Sequence, residues 1–570
     1  MDKKGIIFTA IAVIVLVWSM YHDQQVLSKQ VADRKAYELA HPSATPSASP
    51  SSSVAPATPA SAVAATGLPA ATEATPEKLQ EVTTDYVRYV FTNHGGGIAK
   101  ATLLKHLAEN NANVVLNAKG DFPIGAVSLT PGVDATGDYD VTVDGRVVTC
   151  VRTTPEGLEI TKTYTLPEKA GGAGDYEVKL TTTFTNKGTK ELDWPAYYLY
   201  TGAAQEIHES DLAMYTTLDW LREGKLTNSD VSWFDEKRWP LVGIVRAPAQ
   251  STYTVSTDKI SWLGVSSQYF TSIVAPKDAV GLGVWAQRYS LAADKPTLHG
   301  MEAALELPGF KLAPGQSSAS EVSIYAGPKE LGRLKQLPQN QKAIMNFGTF
   351  SIISEVLLNS MNALYGYLHN YALAIILLTI IIKSLLWFPQ NKATQSMKKM
   401  QLLSPKMTEL KEKYKDDPTR MNQEIMKLYK TYGVNPMSGC LPVLIQIPIF
   451  FGLYAMLRSA VELRNSHFLW NTDLSQPDTV FHLGDFPINI LPLVMAGTMF
   501  WQMALTPKSG DPTQQRIMMF TPLIFIFVCY NYASALALYW TVQNAFTIVQ
   551  LYVTRNQQPP VLQKITPPKK

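Results

Sequence analysis

The chain has 570 residues, with 50 Lys and Arg against 47 Asp and Glu, a net charge of +3 that argues against nucleic-acid binding through bulk electrostatics. Of the cysteines Cys150, Cys440 and Cys529, only the first lies outside the apolar C-terminal third, so no intrachain disulfide staples the soluble part. A mean hydropathy of -0.02 averages a polar, strand-like first half with an apolar, Met- and Phe-rich second half.

At the N-terminus, MDKK precedes residues 5–21, which carry no charge. Lys3 and Lys4 predict a cytoplasmic N-terminus. The segment is longer than most signal-peptide cores and no small-x-small site follows it, so residues 1–22 are predicted as an uncleaved transmembrane anchor. Residues 23–80 start helix-compatible and turn into Ala/Pro/Ser/Thr-rich sequence. That composition cannot bury enough side chain to offset its ordering entropy and predicts a flexible linker.

Residues 81–328 alternate or are β-branched, as in LEITKTYTL and DYEVKLTTTFTNKG, and are punctuated by Gly, Pro, Asn and Asp. They predict a large antiparallel β-sandwich, interrupted by short helical stretches such as AKATLLKHL. The aromatics Trp194, Tyr197, Tyr198, Tyr200, Trp220, Trp233 and Trp239 fit a sandwich core better than a carbohydrate-binding face, because no carboxylate pair stands among them. His208, Glu209 and Asp211 are close in sequence but lack metal-ligand spacing, and no metal is expected.

Residues 329–369 form a linker and a helix in which Ile352, Val356, Leu357, Met361, Leu364, Tyr365 and Leu368 recur at helical spacing. It suits either the membrane–water boundary or a packing role. Residues 370–553 contain apolar spans predicted at 371–388, 441–457 and 488–505. The last run, 517–553, is too long for one span and divides at Asn531-Tyr-Ala-Ser534. With the anchor this predicts a membrane α-helical protein of six transmembrane helices (1+5). Between the first two of the five, residues 390–436 predict a helical hairpin. Its arms carry the stripes Met397, Met400, Leu403, Met407, Leu410, Tyr414 and Met421, Ile425, Leu428, Tyr432, broken at Asp416-Asp417-Pro418. This loop has ten Lys/Arg against five Asp/Glu, the loop 460–487 has only Arg464, and the tail 554–570 is basic. The bias places the hairpin and both termini in the cytoplasm and the β domain in the periplasm.

The span YALAIILLTIIIKSLLWFP holds one charge, Lys383, which must snorkel, pair or line a wet cavity. Gln446, Gln502, Gln543 and Asn544 would each be expensive against lipid and call for either a polar groove or interhelical hydrogen bonds. Pro442 and Pro448 frame Gln446, which suits an irregular helix bordering a cavity.

The chain resembles the YidC/Oxa1/Alb3 family of membrane protein insertases in its long Gram-negative form. The resemblance rests on GVNPMSGCLPVLIQIPIFFGLYAML, DPTQQRIMMFTPLIF, SALALYWTVQN and the 1+5 architecture with YAGPK closing the β domain. It implies a hydrophilic groove, open to cytoplasm and lipid, around a lone positive residue at Lys383, where arginine is more usual. It further implies Gln446, Gln502, Tyr539, Gln543 and Asn544 as groove residues, and Pro448, Ile449 and Phe450 as an apolar slide for clients. Lys398, Lys399, Lys406 and Asp511 then meet a partner such as the ribosome. The implied partners are nascent inner-membrane proteins, the ribosome, the Sec translocon and the lipid bilayer, with no cofactor and no catalytic residue. There is no Walker A pattern for ATP use. A solute or ion transporter predicts matched repeats that the 1+5 arrangement does not show. A structural assembly factor acting through the β domain is the other alternative; against it, the insertase reading requires the last 200 or so residues and tolerates loss of most of the β domain.

Overall fold

The computed structural model describes residues 76–554 except 109–110, 134–136, 169–171, 208–210, 212, 239–244, 293–294, 435–440, 485 and 507–511. The expected anchor, most of the linker, the tail, and His208, Glu209, Trp239 and Asp511 lie outside the described residues. The chain divides into two compact units, one mostly strand and one mostly helix.

In the first unit the strands Leu79–Thr83, Val87–Thr92, Gly97–Leu107 and Asn113–Leu116 pair in order as a small antiparallel sheet. AKATLLKHL, expected to be helical, lies in the third of these strands. Its register sets Ala101 against Tyr89 and Leu116, and Leu103 against Val87 and Val114, and both side chains are fully buried. Burial on alternate positions outweighs the helix propensity of Ala, Leu and Lys.

The main sheet has thirteen strands. Its path runs Val127–Ser128, Tyr197–Ala204, Lys295–Leu307, Gly281–Ala292, Thr252–Ser266, Phe270–Pro276, Ser317–Pro328, Glu177–Asn186, Leu158–Thr165, Val147–Thr153 and Asp140–Asp144. A side hairpin, Thr217–Arg222 with Lys225–Asp230, joins at Thr252–Ser266. This is one continuous antiparallel sheet where the strand pattern predicts two facing ones. The pairing is unbroken along this path, although it joins strands as distant in sequence as Glu177–Asn186 and Ser317–Pro328, and the sheet curls on itself: Ser272 Oγ donates to the Thr201 carbonyl at 2.6 Å, across strands four apart in pairing order. Tyr197, Tyr200 and Trp220 are buried, with Phe122 stacked on Tyr200 at 4.4 Å. Trp194, Tyr198 and Trp233 are half-buried.

The helical unit contains α1 (Ser351–Leu368), α2 (Tyr371–Leu385), α3 (Trp387–Leu402), α4 (Ser404–Lys413), α5 (Pro418–Thr431), α6 (Leu441–Ser459), α7 (Ile490–Leu505), α8 (Pro512–Cys529) and α9 (Ser534–Val553). α1 buries Leu357, Leu358 and Met361 and leaves Ile352 and Val356 exposed. It crosses α6 closely at Gly452, whose carbonyl accepts from Ser354 Oγ at 2.7 Å; a Cβ on Gly452 would come within 2.7 Å of Ile353. Asn370 caps α2 by accepting from Leu373 N, and Asp417 caps α5 by accepting from Arg420 N.

The hairpin's first arm is broken at Leu403, where Pro405 in the first turn of α4 starts a new helix. Leu403, Tyr429 and Val434 form its core, flanked by Met400, Met407, Ile425 and Tyr432. Among the described residues no single helix is long and apolar enough to cross a membrane. One pair, α2 with α3, passes by length and composition and is bent by 60°. At 16 residues α7 spans about 24 Å.

Candidate functional site

Lys383 lies in the last turn of α2, on the buried stripe with Ile375 and Thr379, and is 4% exposed. Thr379 turns its hydroxyl back on the Ile375 carbonyl at 2.7 Å, so it offers its proton to its own helix. Among the described residues Lys383 meets no carboxylate and no hydrogen-bonding acceptor. One turn further along, Trp387 faces α9: its carbonyl accepts from Gln550 Nε2 at 3.4 Å and its ring meets Phe546 edge-on at 5.9 Å.

The other expected groove residues divide. Gln446 Nε2 donates to Tyr539 Oη at 2.9 Å and to Gln543 Oε1 at 3.1 Å, joining α6 to α9. Asn544 Nδ2 turns toward α7, to Thr498 Oγ1 at 3.1 Å and the Met495 carbonyl at 3.4 Å. The two adjacent residues of α9 thus serve different neighbours, because successive side chains on a helix point about 100° apart. Gln502 joins neither group. Its carbonyl accepts from Thr506 N and Oγ1, and its side chain has no hydrogen bond among the described residues. Gln550, 4% exposed, is a further buried polar residue of α9 that is absent from the groove residues expected from the sequence. It lies seven residues, two turns, beyond Gln543, on a face that also carries Thr547, a polar spacing that points to it.

Pro448, Ile449 and Phe450 are half-buried. Phe450 packs against Trp540 at 5.4 Å, and Trp540 against Phe525 at 4.9 Å, an aromatic link through α6, α9 and α8. Among the described residues of α6, the open apolar side chains are Leu444, Ile447 and Phe451. In the hairpin, Lys398 Nζ donates to the Thr554 carbonyl at the end of α9 at 3.1 Å. Lys399 is half-buried. Lys406 donates to Tyr432 Oη and lies 4.6 Å over that ring.

Among the described residues the helical unit buries Lys383 without a partner, shares polar side chains between α6, α7 and α9, and holds one bent helix pair with the length and composition of a membrane span; a separate unit of antiparallel sheet accompanies it. Residues 363–561 match the family described as 60Kd inner membrane protein, and residues 79–359 match the YidC periplasmic domain. The chain is 34% identical over 494 residues to the membrane protein insertase YidC of a Geobacter species, covering 83% of this chain and 85% of that one. It is 34% identical over 508 residues to that of Syntrophus aciditrophicus, covering 84% and 86%. A solved active YidC insertase aligns over 85% of this chain and 94% of its own, at 19% identity and a TM-score of 0.35. The chain belongs to the YidC family of membrane protein insertases, which are not enzymes. It is an inner-membrane protein with a periplasmic domain.

Proposed function

We propose that this chain inserts and helps fold newly made inner-membrane proteins by receiving their translocated segments at Lys383. The observation that carries the reading is a lysine 4% exposed in an apolar helix with no acceptor among the described residues. Such a charge must draw on water or on the client for its partner. The residues Gln446, Tyr539 and Gln543 supply a polar layer joining α6 to α9, and with Lys383 on α2 they form one side of a hydrophilic groove. Leu444, Ile447 and Phe451, with Pro448, Ile449 and Phe450 behind them, give the departing span an apolar path. Its transfer into lipid drives release, and no bond is made or broken.

In this reading the chain spans six times, with α2, α6, α7, α8 and α9 following the N-terminal anchor. Both termini and the hairpin are cytoplasmic. A 24 Å helix is shorter than the roughly 30 Å hydrocarbon core, so the bilayer thins beside α7 and shortens the crossing. The hairpin, through Lys399 and Lys406 and with Asp511 of the α7–α8 loop, meets the ribosome. Cooperation with the Sec translocon extends the range of clients.

Reconstituted protein and a client panel graded by charge test this. Lys383→Arg keeps most insertion, Lys383→Glu loses most, and Lys383→Ala falls between, with the greater loss for acidic translocated segments. A flat response to client charge with full activity in Lys383→Ala removes this residue from the mechanism. Topology is read separately: labels near residues 200 and 475 react from the periplasm, and labels near 415 and 560 from the cytoplasm.

A further inference from the structure

Between α6 and α7 the strands Thr479–Leu483 and Phe486–Asn489 pair antiparallel, with Phe481 opposite Ile488 and Leu483 opposite Phe486. Opposed residues share a face of the pleat, as do residues two apart, so these four apolar side chains form one continuous face. It is open: Phe481 is 55%, Leu483 72% and Phe486 57% exposed. Residues 479–489 contain no Lys or Arg, and their one Asp or Glu, Asp485, falls between the two strands in sequence.

A lone two-stranded hairpin is marginally stable. This one is fixed at its base. Asn489 Nδ2 donates to the Tyr530 carbonyl at 2.6 Å, Tyr530 Oη donates to the Pro487 carbonyl at 2.7 Å, and the Tyr530 ring stacks on Phe486 at 5.3 Å. Just before it, buried Asp478 accepts from Trp470 Nε1 at 3.0 Å and from the first amides of α7, Ile490 N at 3.1 Å and Leu491 N at 2.7 Å. The hairpin therefore enters α7 without slack.

We propose that this face is a wedge seated in the outer leaflet, at the boundary between lipid headgroups and hydrocarbon. The inference rests on the topology proposed above. The hairpin leads directly into α7, which exposes Leu493 and Val494 in its first turns. Trp470, 43% exposed with its N–H satisfied, and Tyr530 supply amphipathic rings at the same place, the residue types favoured at the membrane–water interface. Lipid is the occupant that an apolar face without charge fits. Fixed below the headgroups on a short helix, the wedge holds the outer end of α7 in register with the bilayer.

The test uses the full chain, with its three cysteines replaced, in proteoliposomes of phosphatidylcholine and phosphatidylglycerol with or without brominated acyl chains. A single environment-sensitive fluorophore is placed by Phe481→Cys, Leu483→Cys or His482→Cys. Lipid seating gives blue-shifted emission and loss of fluorescence to bromine at 481 and 483, with weaker loss at 482 on the opposite face. Equal loss at all three positions, or blue-shifted emission that bromine does not quench, overturns the proposal; the second outcome means protein covers the face. An Asp473→Cys variant probed with an impermeant reagent keeps the two readings apart. Labelling from the cytoplasmic side sinks the topology, whereas periplasmic labelling without quenching at 481 sinks the wedge alone.

Discussion

Lys162 in the β domain and Lys383 in the helical unit are both buried, 0% and 4% exposed, and the protein treats them in opposite ways. Lys162 Nζ donates to the carbonyls of Gly95, Gly125 and Gly96 at 2.7, 3.0 and 3.3 Å, and sits 4.6 Å over the ring of Tyr139. The glycines make this possible. Gly96 and Gly125 have φ of +52° and +85°, and a Cβ would come within 2.6 Å of Tyr139 and 2.5 Å of the Tyr164 hydroxyl. Burial still pushes the Lys162 amine down to about 7. Lys383 has no such cradle among the described residues. Burial by itself therefore does not mark a functional charge. A lysine supplied with acceptors by its own fold has little left to offer a ligand, and one left unsupplied has to recruit.

The comparison breaks most sharply on alanine. Lys162→Ala leaves the Gly95 carbonyl without its donor, while the Gly96 and Gly125 carbonyls keep the Tyr164 hydroxyl at 2.9 and 3.3 Å, so the β domain should lose about 1–3 kcal/mol. Unfolding midpoints of the full chain measure this, and an unmoved midpoint would show that the cradle is not structural. Lys383→Ala should leave the midpoint in place or raise it while client insertion falls.

Acidity sharpens the same contrast within the β domain. Glu302, fully buried, accepts from Gln287 Nε2 and Asp121 N, and burial raises its carboxyl to about 7. The folded state then holds more protons than the unfolded between about 4.3 and 7, so this group's contribution falls as pH rises through that window. For Lys162 the unfolded state holds more protons between about 7 and 10.4, so its contribution rises with pH there. Hydrogen exchange in Lys295–Leu307 against pH should show both arms, and Glu302→Gln should flatten only the acidic one. An unchanged acidic arm would exclude Glu302 as its source.

Smaller effects belong to the helix contacts. Tyr539→Phe removes one acceptor of Gln446 and should cost about 1 kcal/mol in unfolding of the helical unit, with insertion largely kept. Lys398→Ala removes the donor at the end of α9, worth about 0.3–1 kcal/mol. Ribosome co-sedimentation should change less in that variant than in Lys406→Ala. The reverse order would make Lys398 a partner contact first.

The sequence by itself determined the class of each half and the ends of many elements. Period, proline and capping residues act locally: Asp417-Pro418 starts α5, and the break at Asn531-Tyr-Ala-Ser534 separates α8 from α9. It also singled out Lys383, because one charge in an apolar run is visible without any neighbour. Only the tertiary structure decided which polar groups meet. LEITKTYT places Lys162 inward with Leu158, Ile160 and Tyr164, a pattern present in the letters, yet its acceptors come from residues 37 to 67 positions away. Gln543 and Asn544 are neighbours in the chain and partners of different helices, and AKATLLKHL became a strand because two strands flank it. A hydrogen bond or a buried face is a property of two segments. The chain's local chemistry fixes each segment, but the packing that selects the second is long-range and is written in neither segment alone.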